Sequence, residues 1–405
     1  MTISPSPQQK REKTFSLLFA FAIVLVAINL RPALSGVGPL LSAIRSTIGL
    51  SAAGAGGLTT LPVLCFGIIA PLGPLLARRF STERTILFAL LALAASIVLR
   101  IFLGLPGLFA GTFLCGASIG VVMVLLPSIL KREFSKEISF ITGLYTMALS
   151  LGAAIAAGVA VPLQRLAGGD WRVALAFWSL PALLGTAAWA ATGLRRHAGE
   201  SQARQRVSGL SRSGTAWQVA LYMGFQSVLA YCVFTWLPSI LTDRGLSAVT
   251  AGAILSTSIG AQLVTALSGP WLATRGRDQR LIAAVMMGLT LVGLMACMYA
   301  PIQMIWWSAI ILGLGQGGSF SVGTIMVVLR SPNPQVVASL SGMTQFVGYL
   351  LAATGPFFAG LLRDISKGWD LTAVFFFVVS VGAMAAGIGA GRARHIKLSG
   401  MAEAG

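Results

Sequence analysis

Arg31 stands near the midpoint of an apolar run over residues 14–41. An arginine at the centre of a lipid-spanning helix costs about 2.5–3.5 kcal/mol on insertion scales, so something must meet it. No acid can. The eleven carboxylates are Glu12, Glu83, Glu133, Glu137, Asp170, Glu200, Asp243, Asp278, Asp364, Asp370 and Glu403, and each falls in a loop, a tail or the end of an apolar run. Both histidines, His197 and His395, lie in polar segments. The runs therefore hold no mid-depth group that titrates near neutrality, which argues against a buried proton carrier. A guanidinium without an acid partner suits an anionic or strongly polar ligand in a water-filled cavity, and its planar fork matches planar oxyanions. One unit charge pair at 4 Å contributes about 4 kcal/mol at an effective dielectric near 20, enough to offset the insertion cost. The plainer alternative has Arg31 snorkelling or bonding carbonyls that Pro32 leaves free. Pro32 cannot donate to the Ile28 carbonyl, so the helix should kink there.

Other polar and aromatic side chains lie at similar depth: Asn29, Tyr145, Gln226, Tyr231, Gln262, Gln316, Gln345 and Tyr349. Gln345 and Tyr349 share one helix face. We take all eight, with Arg31, as candidate ligand contacts, although a buried Gln or Tyr serves as readily to tie helices together. Enzyme chemistry is poorly served. There is no HExxH, no pair of acids within the runs, and no Ser/His couple. Cys65, Cys115, Cys232 and Cys297 are scattered through apolar runs with no disulfide or metal-ligand spacing, and read as packing residues. Gly313-Leu-Gly315-Gln-Gly317-Gly318 satisfies G-x-G-x-x-G, but no strand precedes it. Small residues that let helices approach closely explain it, as they do Gly111, Gly116 and Gly120.

The elements that must position these side chains are apolar helices. Hydrophobic residues make up 56% of the 405 and charged residues only 10%, against about a quarter charged in soluble domains. A spanning helix needs roughly 20 apolar residues. The runs are 14–41, 52–77, 85–104, 106–130, 138–164, 172–194, 216–241, 248–273, 281–299, 302–329, 335–362 and 370–391. The first is too long for a cleaved leader. The net charge of +18 sits in short clusters between runs rather than on one face, which excludes a nucleic-acid partner. Alternating the segments puts 21 Lys and Arg on the side of both termini and 7 on the other, Arg45, Arg100 and Arg244 among the latter. That bias predicts cytoplasmic termini.

Gly73-Pro-Leu-Leu-Ala-Arg-Arg-Phe-Ser-Thr-Glu-Arg84 recurs, at six of twelve positions, as Gly269-Pro-Trp-Leu-Ala-Thr-Arg-Gly-Arg-Asp-Gln-Arg280. Thr142-Gly143 is matched by Ser341-Gly342 at nearly the same offset. The chain thus divides into a tail (1–13), a six-helix half (14–194), a polar linker (195–215), a second six-helix half (216–391) and a tail (392–405). The Arg-, Ser- and Gly-rich linker has the composition of a flexible tether. Parallel halves of this kind place a substrate site at their interface near the bilayer midplane.

Stretches along most of the chain resemble the major facilitator superfamily and, within it, the cyanate and nitroimidazole permease group. They include Leu30-Arg31-Pro32, Leu58-Thr59-Thr60-Leu61-Pro62, Ala77-Arg78-Arg79-Phe80 and Leu126-Pro127 through Lys131-Arg132. The second half adds Trp236-Leu237-Pro238, Asp278-Gln279-Arg280, Leu340-Ser341-Gly342-Met343 and Gly348-Tyr349-Leu350-Leu351-Ala352-Ala353. The resemblance implies an all-α integral membrane protein of twelve helices in two pseudo-symmetric halves, usually monomeric, in the bacterial inner membrane. It implies secondary transport by alternating access of a small solute, such as cyanate, a nitro-compound or a small organic anion, with no cofactor or metal. The 73–84 and 269–280 loops, with Arg79, Arg84, Arg275 and Arg280, would act in gating. One departure stands out: the superfamily's acid in the first of these loops is replaced by Ala77 or Arg78. A multidrug exporter of the same fold is the alternative, but would usually need a buried acid. A membrane-embedded receptor or enzyme is the alternative from another class.

Overall fold

The computed structural model describes residues 7–69, 72–134, 137–192, 194, 209–276 and 278–396. Of the regions expected above, the outermost tail residues, Lys136, Arg277 and linker residues 195–208 lie outside that set. The described residues form helices and no strands. Eleven helices are long and apolar enough to cross a membrane, and a bent pair makes a twelfth. We number these spans 1 to 12: Leu17–Ile48, Ala52–Ile68 with Leu72–Phe80, Thr82–Leu99, Gly104–Glu133, Phe140–Leu166, Trp171–Thr192, Gly214–Asp243, Ala248–Thr274, Arg280–Tyr299, Ile302–Leu329, Gln335–Ser366 and Asp370–Ala390.

Side-chain caps define many of the starts. Ser51, Ser81, Asp170, Ser213 and Ser247 each accept from a backbone N–H in the first turn that follows. Asn333 caps span 11 just before Pro334. Such caps satisfy donors that helix geometry leaves free. Two ends differ from expectation. Span 1 continues to Ile48, seven residues past the expected end, and stops where Gly49 adopts φ +72. Span 3 ends at Leu99 rather than 104, which leaves Arg100 as its C-terminal cap.

Span 1 is broken at the expected place. One helix runs Pro7–Leu30, Arg31 follows, and short helices Pro32–Ser35 and Val37–Ile48 complete the span. The Ile28 carbonyl, which Pro32 cannot satisfy, faces Gly152 of span 5 so closely that a Cβ there would overlap it.

Helix packing repeats after six spans. In the first half span 1 packs on spans 5 and 6, span 2 on span 4, and span 3 on spans 4 and 6. In the second, span 7 packs on 11 and 12, span 8 on 10, and span 9 on 10 and 12. The halves meet where span 2 lies along span 11 and span 5 along span 8, themselves a pseudo-symmetric pair, and where Val37–Ile48 touches span 7.

Contacts across this seam concentrate at the end carrying the 49–51, 244–247 and 367–369 turns, hereafter the sealed face. Asp364 of span 11 accepts from the backbone N–H of Ala52 (3.1 Å) and Ala53 (2.7 Å) at the start of span 2. Deeper in, the Thr60 hydroxyl donates to the Ala353 carbonyl at 2.7 Å. Gly56 passes the Pro356 carbonyl with no room for a Cβ. Buried Leu40, Leu41 and Ile44 join Leu237, Ile240 and Leu241 in one apolar core there. Toward the opposite face Leu72–Phe80 turns 62° from Ala52–Ile68 and packs against spans 3 and 4.

Candidate functional site

The break in span 1 frees Arg31 from a continuous helix wall and turns it, half-buried, toward the seam. Among the described residues no hydrogen-bond or ion-pair partner meets its guanidinium. Three of the chain's five tyrosines lie near it instead. The phenols of Tyr145, Tyr231 and Tyr349, from spans 5, 7 and 11, all lie within reach of the Arg31 charge. Phe66 packs edge-on to Tyr349, with ring centroids 5.4 Å apart, and Phe234 does the same to Tyr231 at 6.1 Å. The aromatic edges hold the phenols in place, and the phenol O–H groups can donate to a ligand bound at the guanidinium.

From Arg31 a cavity of about 40 Å³ extends along span 1 as far as Gly38, with walls from spans 1, 2, 4, 5 and 7. That volume holds roughly three waters or one small molecule. Its polar lining includes Arg31, Tyr231, Thr59, Thr112, Thr235 and, unexpectedly, Arg100. No carboxylate is among the lining residues. Arg100, counted above on the outer side from inside the end of the run 85–104, is 2% exposed. The early end of that helix carries it inward, where its Nη1 donates to the Ala33 carbonyl at 2.6 Å. Its place inside the end of the apolar run 85–104 was the signal available in the sequence. The turn that follows, Ile101-Phe102-Leu103, holds no polar residue to suggest exposure. Thr112 and Thr235 gave no such signal, because hydroxyls are common in apolar helices.

The five amide side chains singled out in the sequence are not in this cavity. Asn29 donates to the Leu25 carbonyl at 2.7 Å on the side facing Gly185 of span 6. Gln226 donates to the Met223 carbonyl (3.2 Å) and the Ser227 hydroxyl (2.7 Å). Gln262 and Gln316 bond each other at 3.1 Å, tying span 8 to span 10. Gln345 is exposed.

In the repeated loops Arg79, Arg84, Arg275 and Arg280 are exposed. Arg79 lies over Phe80, Arg275 over Trp271 at 3.5 Å, and Arg280 pairs with Asp278 at 3.2 Å. The buried contacts belong to the neighbouring repeat position. Glu83 accepts from Arg132 of span 4 at 2.6 Å, and its carbonyl accepts from Trp189 of span 6 at 3.1 Å. Its counterpart Gln279 accepts from Arg330, which follows span 10 and also donates to the carbonyls of Ala390 and Gly391 at the end of span 12. In both halves an arginine thus locks the second-to-third-span loop within its own half.

The Major Facilitator Superfamily profile matches residues 17–356. A Bacillus subtilis protein named "Uncharacterized transporter YycB" is 38% identical over 97% of each chain. The 2-nitroimidazole transporter of Escherichia coli is 35% identical over 98% of this chain and all of its own. The cyanate transport protein CynX of Escherichia coli is 30% identical over 89% and 94%. Among solved structures, a bacterial homologue of the human lysosomal transporter Spinster superposes with a TM-score of 0.76 at 14% identity, over 94% of this chain and 98% of that one.

Proposed function

Since the chain belongs to the Major Facilitator Superfamily and is a membrane transporter rather than an enzyme, we propose that it carries a small anionic or polar planar solute bound at Arg31. The observation that carries this reading is a guanidinium with no partner among the described residues, near three phenols, at a helix break beside a cavity lined by no carboxylate among those residues. A fixed positive charge in low dielectric is costly alone and favourable with an anion. The relatives named for cyanate and 2-nitroimidazole transport move solutes of this electronic kind, linear or planar with electron-rich termini.

The transport cycle on this reading is alternating access. Halves 14–194 and 216–391 rock about the seam while the 195–215 tether follows. The contacts at the sealed face open as those toward the linker face form. Cytoplasmic termini, and the inner membrane of a bacterium as the location, complete the proposal. Arg132 and Arg330 keep each repeated loop fixed to its own half, so the loops, with Arg79, Arg84, Arg275 and Arg280 on their surface, move as rigid parts of the halves.

A binding titration on purified protein tests this. The panel is cyanate, nitrate, nitrite, acetate and 2-nitroimidazole, with Arg31→Gln measured in parallel. Saturable binding of one or more of these, lost in Arg31→Gln without a change in elution volume or melting temperature, is expected. Equal binding by wild type and variant would remove Arg31 from the site. No binding by either would move the search to neutral and cationic lipophiles, the exporter alternative.

A further inference from the structure

Arg100 has more donors than the fold uses. Its Nη1 satisfies the Ala33 carbonyl, but Nε and Nη2 are buried with no partner among the described residues. An arginine confined to a structural role at a helix break would be expected to spend its fork on carbonyls there. Arg330 does so, sharing its donors among Ala390, Gly391 and Gln279. Two more donors line the same cavity, the hydroxyls of the buried residues Thr112 and Thr235. No carboxylate lines the space to balance Arg31 and Arg100. Two cations with no carboxylate beside them and two hydroxyls around one pocket describe a receptor for negative charge.

We propose that Arg100, with Thr112 and Thr235, forms a second anion-binding point on the sealed-face side of Arg31, for a small monoanion with terminal oxygen or nitrogen acceptors. This rests on the reading of Arg31 given above and narrows it. A cavity of about 40 Å³, room for about three waters, suits a three- or four-atom anion. The position also gives the site a direction. An anion arriving from the linker side meets Arg31 first and Arg100 second, next to the contacts that must part for release at the sealed face.

The test uses the full-length protein and nitrate as the probe, read by calorimetric affinity and by the nitrate-induced rise in melting temperature. Arg100→Gln, Arg100→Lys, Thr112→Val and Arg31→Gln are compared with wild type. Charge-assisted hydrogen bonds of this kind predict a loss of about tenfold to a hundredfold for Arg100→Gln, partial recovery in Arg100→Lys, and a several-fold loss for Thr112→Val. A merely structural Arg100 would lower the melting temperature equally with and without nitrate and leave affinity alone; that result overturns the proposal. If Arg31→Gln abolishes nitrate binding while Arg100→Gln binds as wild type does, the Arg31 reading stands and this one falls. Should Arg100→Gln not fold, Arg100→Lys and Thr112→Val decide, and wild-type affinity in both rejects the site. Failure of wild type to bind any anion in the panel removes both readings together.

Discussion

Asp364 is a single point at which the proposed transport cycle can be unbalanced. Its carboxylate belongs to span 11 and its two partners, the Ala52 and Ala53 N–H groups, begin span 2 in the other half. The bonds can exist only while the sealed face is closed, so they contribute to one conformation and not the other. A hydrogen bond to a charged group contributes about 1.5–3 kcal/mol. Asp364 is only half-buried, and water would satisfy it once the seam opens, so a combined difference of about 1–3 kcal/mol is the reasonable figure. Replacing it by Ala should shift the equilibrium toward opening of the sealed face by roughly 5- to 150-fold. Distance measurement between spin labels at Thr47→Cys and Ser247→Cys reads this directly. Both positions are exposed at that face, in opposite halves, and the four native cysteines are buried away from the label. A longer-distance population should grow in Asp364→Ala, with Asp364→Asn between it and wild type. An unchanged distance distribution in a folded Asp364→Ala protein would refute the idea that this contact holds the face shut.

Other expectations concern the interior of each half and the site. Glu83→Ala removes one of the two carboxylates that meet Arg132, leaving Glu133 at 2.8 Å, and should cost about 1–2 kcal/mol in thermal unfolding. Glu83→Gln should cost less, since Gln279 serves the matching arginine in the second half; a loss as large as that of Glu83→Ala would show that an amide cannot take the carboxylate's place. Tyr231→Phe and Tyr349→Phe each delete one O–H beside Arg31 and should weaken anion binding about three- to tenfold at unchanged melting temperature. Unaltered affinity in the double variant would exclude the phenols as ligand contacts.

Lipid demands long apolar helices, so the spans were legible from run length alone, and the caps at Ser51, Ser213 and Ser247 fall where the runs begin. The break at Arg31 was legible too, because Pro32 has only one consequence inside a helix. Depth could be read from the sequence, but azimuth could not. Adjacent residues on a helix point 100° apart, so a residue at the right depth can still face lipid, a neighbouring helix or its own backbone. Tyr231 lines the cavity, and Tyr145 and Tyr349 lie within reach of the Arg31 charge. Asn29, Gln226, Gln262 and Gln316 fell on packed sides and bond their neighbours. Arg100 was missed for a different reason. Its burial depends on span 3 ending five residues early at a turn made wholly of apolar residues, which looks like more helix.

The acid-free cavity has a consequence for energetics across the membrane. With Arg31 and Arg100 both charged, the empty carrier holds two positive charges in its binding region; with a monoanion aboard it holds one. Whichever way the cavity opens, those charges sit near the potential of that compartment. A membrane potential is worth about 2.3 kcal/mol per unit charge per 100 mV, as an upper limit for charges that cross the whole field. The empty carrier is therefore held facing the negative compartment about twice as strongly as the loaded one. Bound anion acts as a voltage key: an energised membrane slows the return of the empty carrier away from the negative side far more than that of the loaded carrier. If the site carries a monoanion as proposed, one-for-one anion exchange should under those conditions outrun net flux.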